Sequence, residues 1–262
     1  MWLKRLKRKA EPRVAPKERQ ALDGHAAALA VESLACEAVI IQSDPTFSEI
    51  MGPLKNLVPH VQDSLRTAEI RRVAELERLA GLVVGQSAAG LRASAFVGEL
   101  AGIHVALRSA AGKRLPFVIN LTGRALRRQA GPLHGGHDDY HAAADAGLFQ
   151  MFANNVQEVV DLTLIAHRIA ELALTPGLCA QDFYRTSQSV QDVCLPEPDL
   201  VLAYLGRPGD SIDAATPAQR ILFGKKRRRI PRLIDLDHAV GIGGAQDNES
   251  FFRSVAAQRP FF

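Results

Sequence analysis

The 262 residues predict an α/β fold, a doubly wound and mostly parallel sheet with an irregular C-terminal extension. Three observations carry that expectation. Short β-branched runs alternate with Ala-rich or periodic helical stretches. The connections between them are short. The run LPFVINLT at 115–122 is largely apolar, as expected of a strand covered on both faces.

The elements follow in order. Residues 22–35 open on Asp23 as a cap and continue Ala-rich, which reads as a helix. EAVIIQ (37–42) reads as a strand, and DPTFSEIMGPL turns into a second helix with Pro45 in its first turn. Residues 68–90 read as one long helix, with Val73, Leu76, Ala80, Val83 and Ser87 on its apolar face. A strand is expected over 91–96, a helix over 98–111 ending at Gly112, and the buried strand over 115–122. A loop rich in Gly and His fills 124–138. DDYHAAADAG begins a helix, and 148–153, 156–173 and 177–183 read as strand, helix and last clear strand. Beyond residue 206 the periodicity fails. The expected organisation is a basic tail (1–20), an α/β domain (21–206) and an extension (207–262) that wraps a partner chain.

Composition limits the function. The net charge of +4 is unevenly placed: 1–19 hold eight Lys and Arg against two Glu, and KKRRRIPR at 225–232 holds six more. The rest of the chain is acidic, so the basic runs are expected to be appendages, either solvated or touching a subunit or an anionic ligand. No aromatic-interleaved basic surface points to nucleic acid. Three scattered cysteines with no CxxC pair suggest a reducing, cytoplasmic setting, and neither a zinc nor an iron–sulfur site is expected on this chain. No apolar run is long enough to span a bilayer.

In such sheets ligands gather beyond the carboxyl ends of the strands. The polar elbows SDPT, TGRAL, HGGHDD and YRTSQ all fall there. HGGHDDYH brings His134, His137, Asp138, Asp139 and His141 close in sequence. It reads as an active-site loop, as a helix start with surface histidines or, less simply, as a metal site. His167, on an apolar helix, reads as a satisfied core histidine.

The order LDGHAA, SDPTFSEIM, GQSAAGLRAS, LTGRAL, GGHDDYHAAADAG, NVQEVVDLTLIAH and FYRTSQSVQ resembles the first domain of the 2-oxoacid:ferredoxin oxidoreductases, over about 21–205. The resemblance implies the pyrimidine-type domain of the thiamine diphosphate-binding fold, in an alpha-type subunit. It implies a cofactor shared with a partner chain, with magnesium and iron–sulfur clusters on partner chains. It implies oxidative decarboxylation of a 2-oxoacid to an acyl-CoA, with electrons passed to a ferredoxin-like acceptor. Arg124, in LTGRAL after Thr122, takes the family's place for holding the substrate carboxylate. Asp44 stands where the family has a Thr near the substrate, and a carboxylate there would repel the substrate unless protonated or paired. The family's cofactor-activating Glu counts to Leu76, flanked by Glu75 and Glu77. Either Glu77 or Glu75 serves, or Leu76 is core and both carboxylates are surface charges. Arg185, Thr186 and Ser187 match the family's turn near the cofactor and the subunit interface, and Arg185 reads equally as a structural ion pair. The second reading is a catalytically degenerate subunit that keeps fold and interface only.

Overall fold

Asp23 starts the first helix as expected. Its side chain accepts from the Ala26 N–H at 2.7 Å and ends the strand that precedes it. The structure is a computed structural model that describes residues 19–43, 68–125, 134–233, 248, 249 and 252. The elements up to the first edge of the sheet are β1 (Arg19–Leu22), α1 (Gly24–Ala35), β2 (Ala38–Gln42), β3 (Glu69–Val73), α2 (Leu76–Ala88) and β4 (Ala93–Val97). Then come α3 (His104–Gly112), β5 (Val118–Gly123), α4 (Asp138–Ala142), β6 (Phe149–Ala153), α5 (Val156–Ala173) and β7 (Gly177–Asp182). A π-helical turn (Phe183–Ser187), β8 (Gln191–Cys194), α6 (Pro198–Leu205), β9 (Ser211–Asp213), α7 (Pro217–Phe223) and β10 (Lys226–Arg228) complete the described chain.

Six strands form one parallel sheet in the order β3-β2-β4-β5-β7-β6. The expected doubly wound class is therefore what the chain adopts. Alternate residues of each strand supply the two faces, as the period of two requires. Ala38 and Ile40 of β2 pack with Leu79, Val83, Ile103 and Leu107 on one side. Val39 and Ile41 pack with Leu29, Val156, Val160 and Val201 on the other. All six residues of β5 are buried, as a central strand covered on both faces must be.

Three expectations change. Residues 69–73 are not the first turns of a helix but the edge strand β3, paired residue for residue with β2 from Ala38↔Glu69 to Gln42↔Val73. An edge strand with one buried residue carries little apolar signal, and its Val73 falls in phase with the helix that follows. The basic run at 225–232 is only partly solvated, with Lys225, Lys226 and Arg232 exposed. It contains β10, antiparallel to β9, and Arg227 is only 4% exposed. β1 also pairs with β8, so residues 19 and 20 leave the expected tail and join the fold. The helix expected from 45 onward, most of the basic tail and the loop 126–133 lie outside the described residues.

Candidate active site

Parallel strands all end at one rim, so the last residues of β2, β4, β5 and β7 lie together there. Gln42, the last residue of β2, accepts the Gly98 N–H through its side chain at 2.8 Å, which ties the ends of β2 and β4 together. Thr122 Oγ1 donates to the Val97 carbonyl at 3.4 Å, tying β5 to β4. The chain then doubles back on itself. The Ala125 N–H donates to the His134 carbonyl and the Gly136 N–H to the Gly123 carbonyl, both at 3.0 Å. A β-bridge joins Arg124 to Gly135, so both ends of the 126–133 loop are held at the strand ends.

Arg124 is buried at this point and lies over the Phe183 ring, 5.5 Å from its centroid, a cation–π distance. Phe183 opens the π-helical turn, which Asp182 caps. Asp182 Oδ1 accepts from the N–H groups of Tyr184 (3.0 Å) and Arg185 (2.8 Å), and Oδ2 from His137 Nε2 at 3.1 Å. Burial pushes the Asp182 carboxyl up, but these donors outweigh it and hold its pKa below the ordinary value. Sequence reasoning passed over Asp182. Its signal was an Asp at the last position of a buried strand, directly before FYRTS.

The expected site residues divide into two groups along this rim. Thr122, Arg124 and the 183–187 turn come together across the neighbouring strands β5 and β7. Thr186 is buried, and its carbonyl lies 2.6 Å from where a β-carbon on Gly24 would stand, so only Gly lets α1 start this close to the turn. Arg185 is exposed. Glu75 and Glu77 are exposed at the start of α2, after β3, at the far edge of the sheet. The strands themselves stand three spacings from β5, about 14 Å. The α2 N-terminus leans back toward the turn after β4. Both Leu76 Cδ1 (3.5 Å) and Glu77 Oε1 (3.6 Å) lie against the point where a β-carbon on Gly102 would sit. Glu75, at the N-cap, makes no side-chain capping bond. Asp44 lies outside the described residues.

The Gly/His loop contributes fastening. His137 holds Asp182, and Asp139 Oδ2 accepts the Leu100 N–H at 2.6 Å. Burial, with Glu99 and Asp138 nearby, raises the Asp139 pKa against that hydrogen bond.

A parallel α/β sheet with a guanidinium, a buried hydroxyl and a stitched turn at its carboxyl rim defines a ligand-binding domain of the doubly wound class. The family model described as "Pyruvate flavodoxin/ferredoxin oxidoreductase, thiamine diP-bdg" matches residues 49–261, and the chain belongs to that family. Among curated proteins it is 26% identical over 248 residues to the pyruvate:ferredoxin oxidoreductase of Moorella thermoacetica, covering 93% of this chain and 20% of that one. It is 36% identical over 146 residues to pyruvate synthase subunit PorA of Pyrococcus horikoshii, covering 53% of this chain and 36% of that one. The chain thus spans between a fifth and two fifths of the length of these relatives. Of solved structures, a chain of the 2-oxoglutarate:ferredoxin oxidoreductase from Magnetococcus marinus shares the fold. Its TM-score is 0.65 at 16% identity, with 97% of this chain and 47% of that one covered.

The aminopyrimidine ring of thiamine diphosphate needs a carboxylate acceptor, and at the counted position Leu76 packs against the core instead. Glu77, exposed one position later, carries the carboxylate that stands nearest the counted place, its Oε1 3.6 Å from where a β-carbon on Gly102 would sit. A carboxylate is the acceptor type that the ring requires, so the residue types present on this edge are compatible with it.

Proposed function

We propose that this chain is the pyrimidine-side subunit of a thiamine diphosphate-dependent 2-oxoacid oxidoreductase complex, working in the cytoplasm with partner chains. Those partners supply the diphosphate site with its magnesium, and the iron–sulfur clusters that pass electrons to a ferredoxin-like acceptor. The substrates are a 2-oxoacid and coenzyme A. The observation that carries the reading is Arg124, buried over Phe183 at the end of β5, in a chain that belongs to this family.

Bound thiamine diphosphate supplies the electron sink that makes loss of carbon dioxide from a 2-oxoacid possible. The chain's own residues do the rest of the work on this side. Glu77 accepts a hydrogen bond from the pyrimidine ring and holds that ring's protonation state. Arg124 offers two parallel N–H donors to the substrate carboxylate, and Phe183 keeps the guanidinium plane in place. Thr122, bonded to the Val97 carbonyl, fixes the strand end that aims Arg124. The Arg185–Thr186 turn, pinned by Asp182, shapes the wall toward the partner chain. The extension 207–262 contributes contact with that partner.

A second reading has its own observation. Leu76 occupies the counted place of the activating Glu and packs against the core, as it would in a subunit that keeps only fold and interface. One experiment separates the two: purify the chain with its co-purifying subunits and follow thiamine- and CoA-dependent reduction of a viologen dye by 2-oxoacids. Turnover is expected. Arg124→Ala should lower kcat/KM by about tenfold to a hundredfold, the worth of a hydrogen bond to a charged group, about 1.5–3 kcal/mol. Glu77→Gln should abolish turnover and Glu75→Gln leave it intact. Absence of turnover in a thiamine-loaded complex establishes the degenerate subunit. Turnover unaffected by both glutamine variants removes Glu77 from the mechanism.

A further inference from the structure

Away from the rim, beneath α1 and α5, four polar side chains are sealed in the core. Glu32 and His167 are 0% exposed, Cys36 1% and Asn120 2%. Glu32 Oε2 lies 2.7 Å from His167 Nε2 and accepts the Cys36 thiol at 3.0 Å. Cys36 Sγ and His167 Nε2 are 3.5 Å apart, and Asn120 Nδ2 donates to Glu32 Oε1 at 2.7 Å. None of these groups serves the rim chemistry. Glu32 and Cys36 are four residues apart, on one face of α1 and its cap, and His167 comes from the facing helix. A carboxylate, a thiol and an imidazole that converge on one point form a donor set suited to zinc.

We propose that Glu32, Cys36 and His167 form a structural site for a divalent transition-metal ion of the zinc class. The three donor atoms lie within 4.8 Å of one another. Tetrahedral zinc, at its usual bond lengths, holds neighbouring donors about 3.3–3.6 Å apart. The sulfur–nitrogen edge already has that length. The two edges through Glu32 are shorter, because protons join them in place of a metal, and they open by about half an ångström. Asn120 takes the fourth position through its amide oxygen, after the amide turns over.

The charge balances. Cys36 gives its thiol proton to solvent, Glu32 remains a carboxylate, and the imidazole presents the Nε2 lone pair with its one N–H on Nδ1. A ring that starts as imidazolium releases a second proton. Two anions cancel the two charges of the ion, so the buried cluster ends neutral. A second observation points the same way. His167 Nδ1 has no hydrogen-bond partner, and neither does Thr163 Oγ1, one helical turn earlier on the same face of α5 and fully buried. A metal-bound histidine donates its other ring N–H to an outer acceptor, and Thr163, one turn away on the same helix face, is the buried hydroxyl that a small side-chain rotation would have to bring to it. Sequence spacing gave no sign of the site, because 131 residues separate Cys36 from His167.

The test uses the full chain with the subunits that travel with it. After growth or dialysis with zinc, metal analysis should find one zinc per chain that is lost in Cys36→Ser. Zinc K-edge absorption on the unaltered protein should show one sulfur donor among nitrogen and oxygen donors. That measurement stands even if Cys36→Ser does not fold. Zinc surrounded only by oxygen and nitrogen, zinc held by several sulfurs, or no stoichiometric zinc at all overturns the proposal.

Discussion

His25 lies in the first turn of α1, 2% exposed, with its ring 5.1 Å from that of Phe96 in an edge-on arrangement. Burial pushes its pKa from 6.5 down to about 4. The sign of the consequence follows. Above pH 6.5 the imidazole is neutral whether the chain is folded or not, and it contributes no pH dependence. Below 6.5 the unfolded chain takes up a proton that the folded chain refuses until about pH 4, so stability falls as pH drops through that window. Between pH 7 and pH 5 this one residue should cost about 2 kcal/mol. Urea unfolding midpoints at the two pH values measure it. The drop should shrink by about that amount in His25→Gln, and an equal drop in both proteins would remove His25 as its source.

Elements divide by how local their signals are. α5 was legible to the residue, since Val156, Val159, Val160, Thr163, Ala166, His167 and Ala170 form one buried stripe. β5 was legible because its run is largely apolar, Asn120 and Thr122 being its polar side chains. β3 was not, because its pairing with β2 comes from a partner strand about 30 residues earlier and leaves its own sequence nearly polar. The site shows the same division. Arg124 and the FYRTS turn are chain-local and could be placed, whereas the Asp182–His137 clamp joins residues 45 apart. Long-range polar partners of this kind also hold the helices down. Arg92, just before β4, pairs with Glu171 in the last turn of α5, both 1% exposed. Arg92 also donates to the carbonyls of Ala35 at 3.0 Å and Gly206 at 3.1 Å, which joins the ends of α1 and α6 to the same guanidinium. Removing one partner from a buried pair strands the other charge. Glu171→Gln should therefore lower the unfolding free energy by about 3 kcal/mol, read as a lower denaturant midpoint at unchanged slope. A change below 1 kcal/mol would show that the carbonyl partners alone satisfy Arg92.

At the scale of the whole molecule, charge composition misleads and topology corrects it. The basic run at 225–232 looked like an appendage because six cations in eight residues ordinarily stay in water. Arg227 instead enters the core with its hydrogens spent. Nε donates to Gln219 Oε1, Nη1 to the carbonyls of Arg228 and Arg229, and Nη2 to those of Glu171 and Leu172. Those last two carbonyls belong to the C-terminal turn of α5, where orphan acceptors and the negative end of the helix dipole favour a cation. Arg228 adds a bond to the Gly90 carbonyl at 2.7 Å. The segment from β9 to β10 is thereby clasped to the end of the sheet opposite the rim. The clasp makes this segment a separable unit of local stability. Arg227→Met keeps the volume but loses five hydrogen bonds, and residues 211–228 should then exchange amide hydrogens at least tenfold faster, while 118–123 in the central strand keep their protection. Equal acceleration in both places would mean that Arg227 stabilises the whole fold and not the clasp. No acceleration in either would mean that β9 and β10 hold without it.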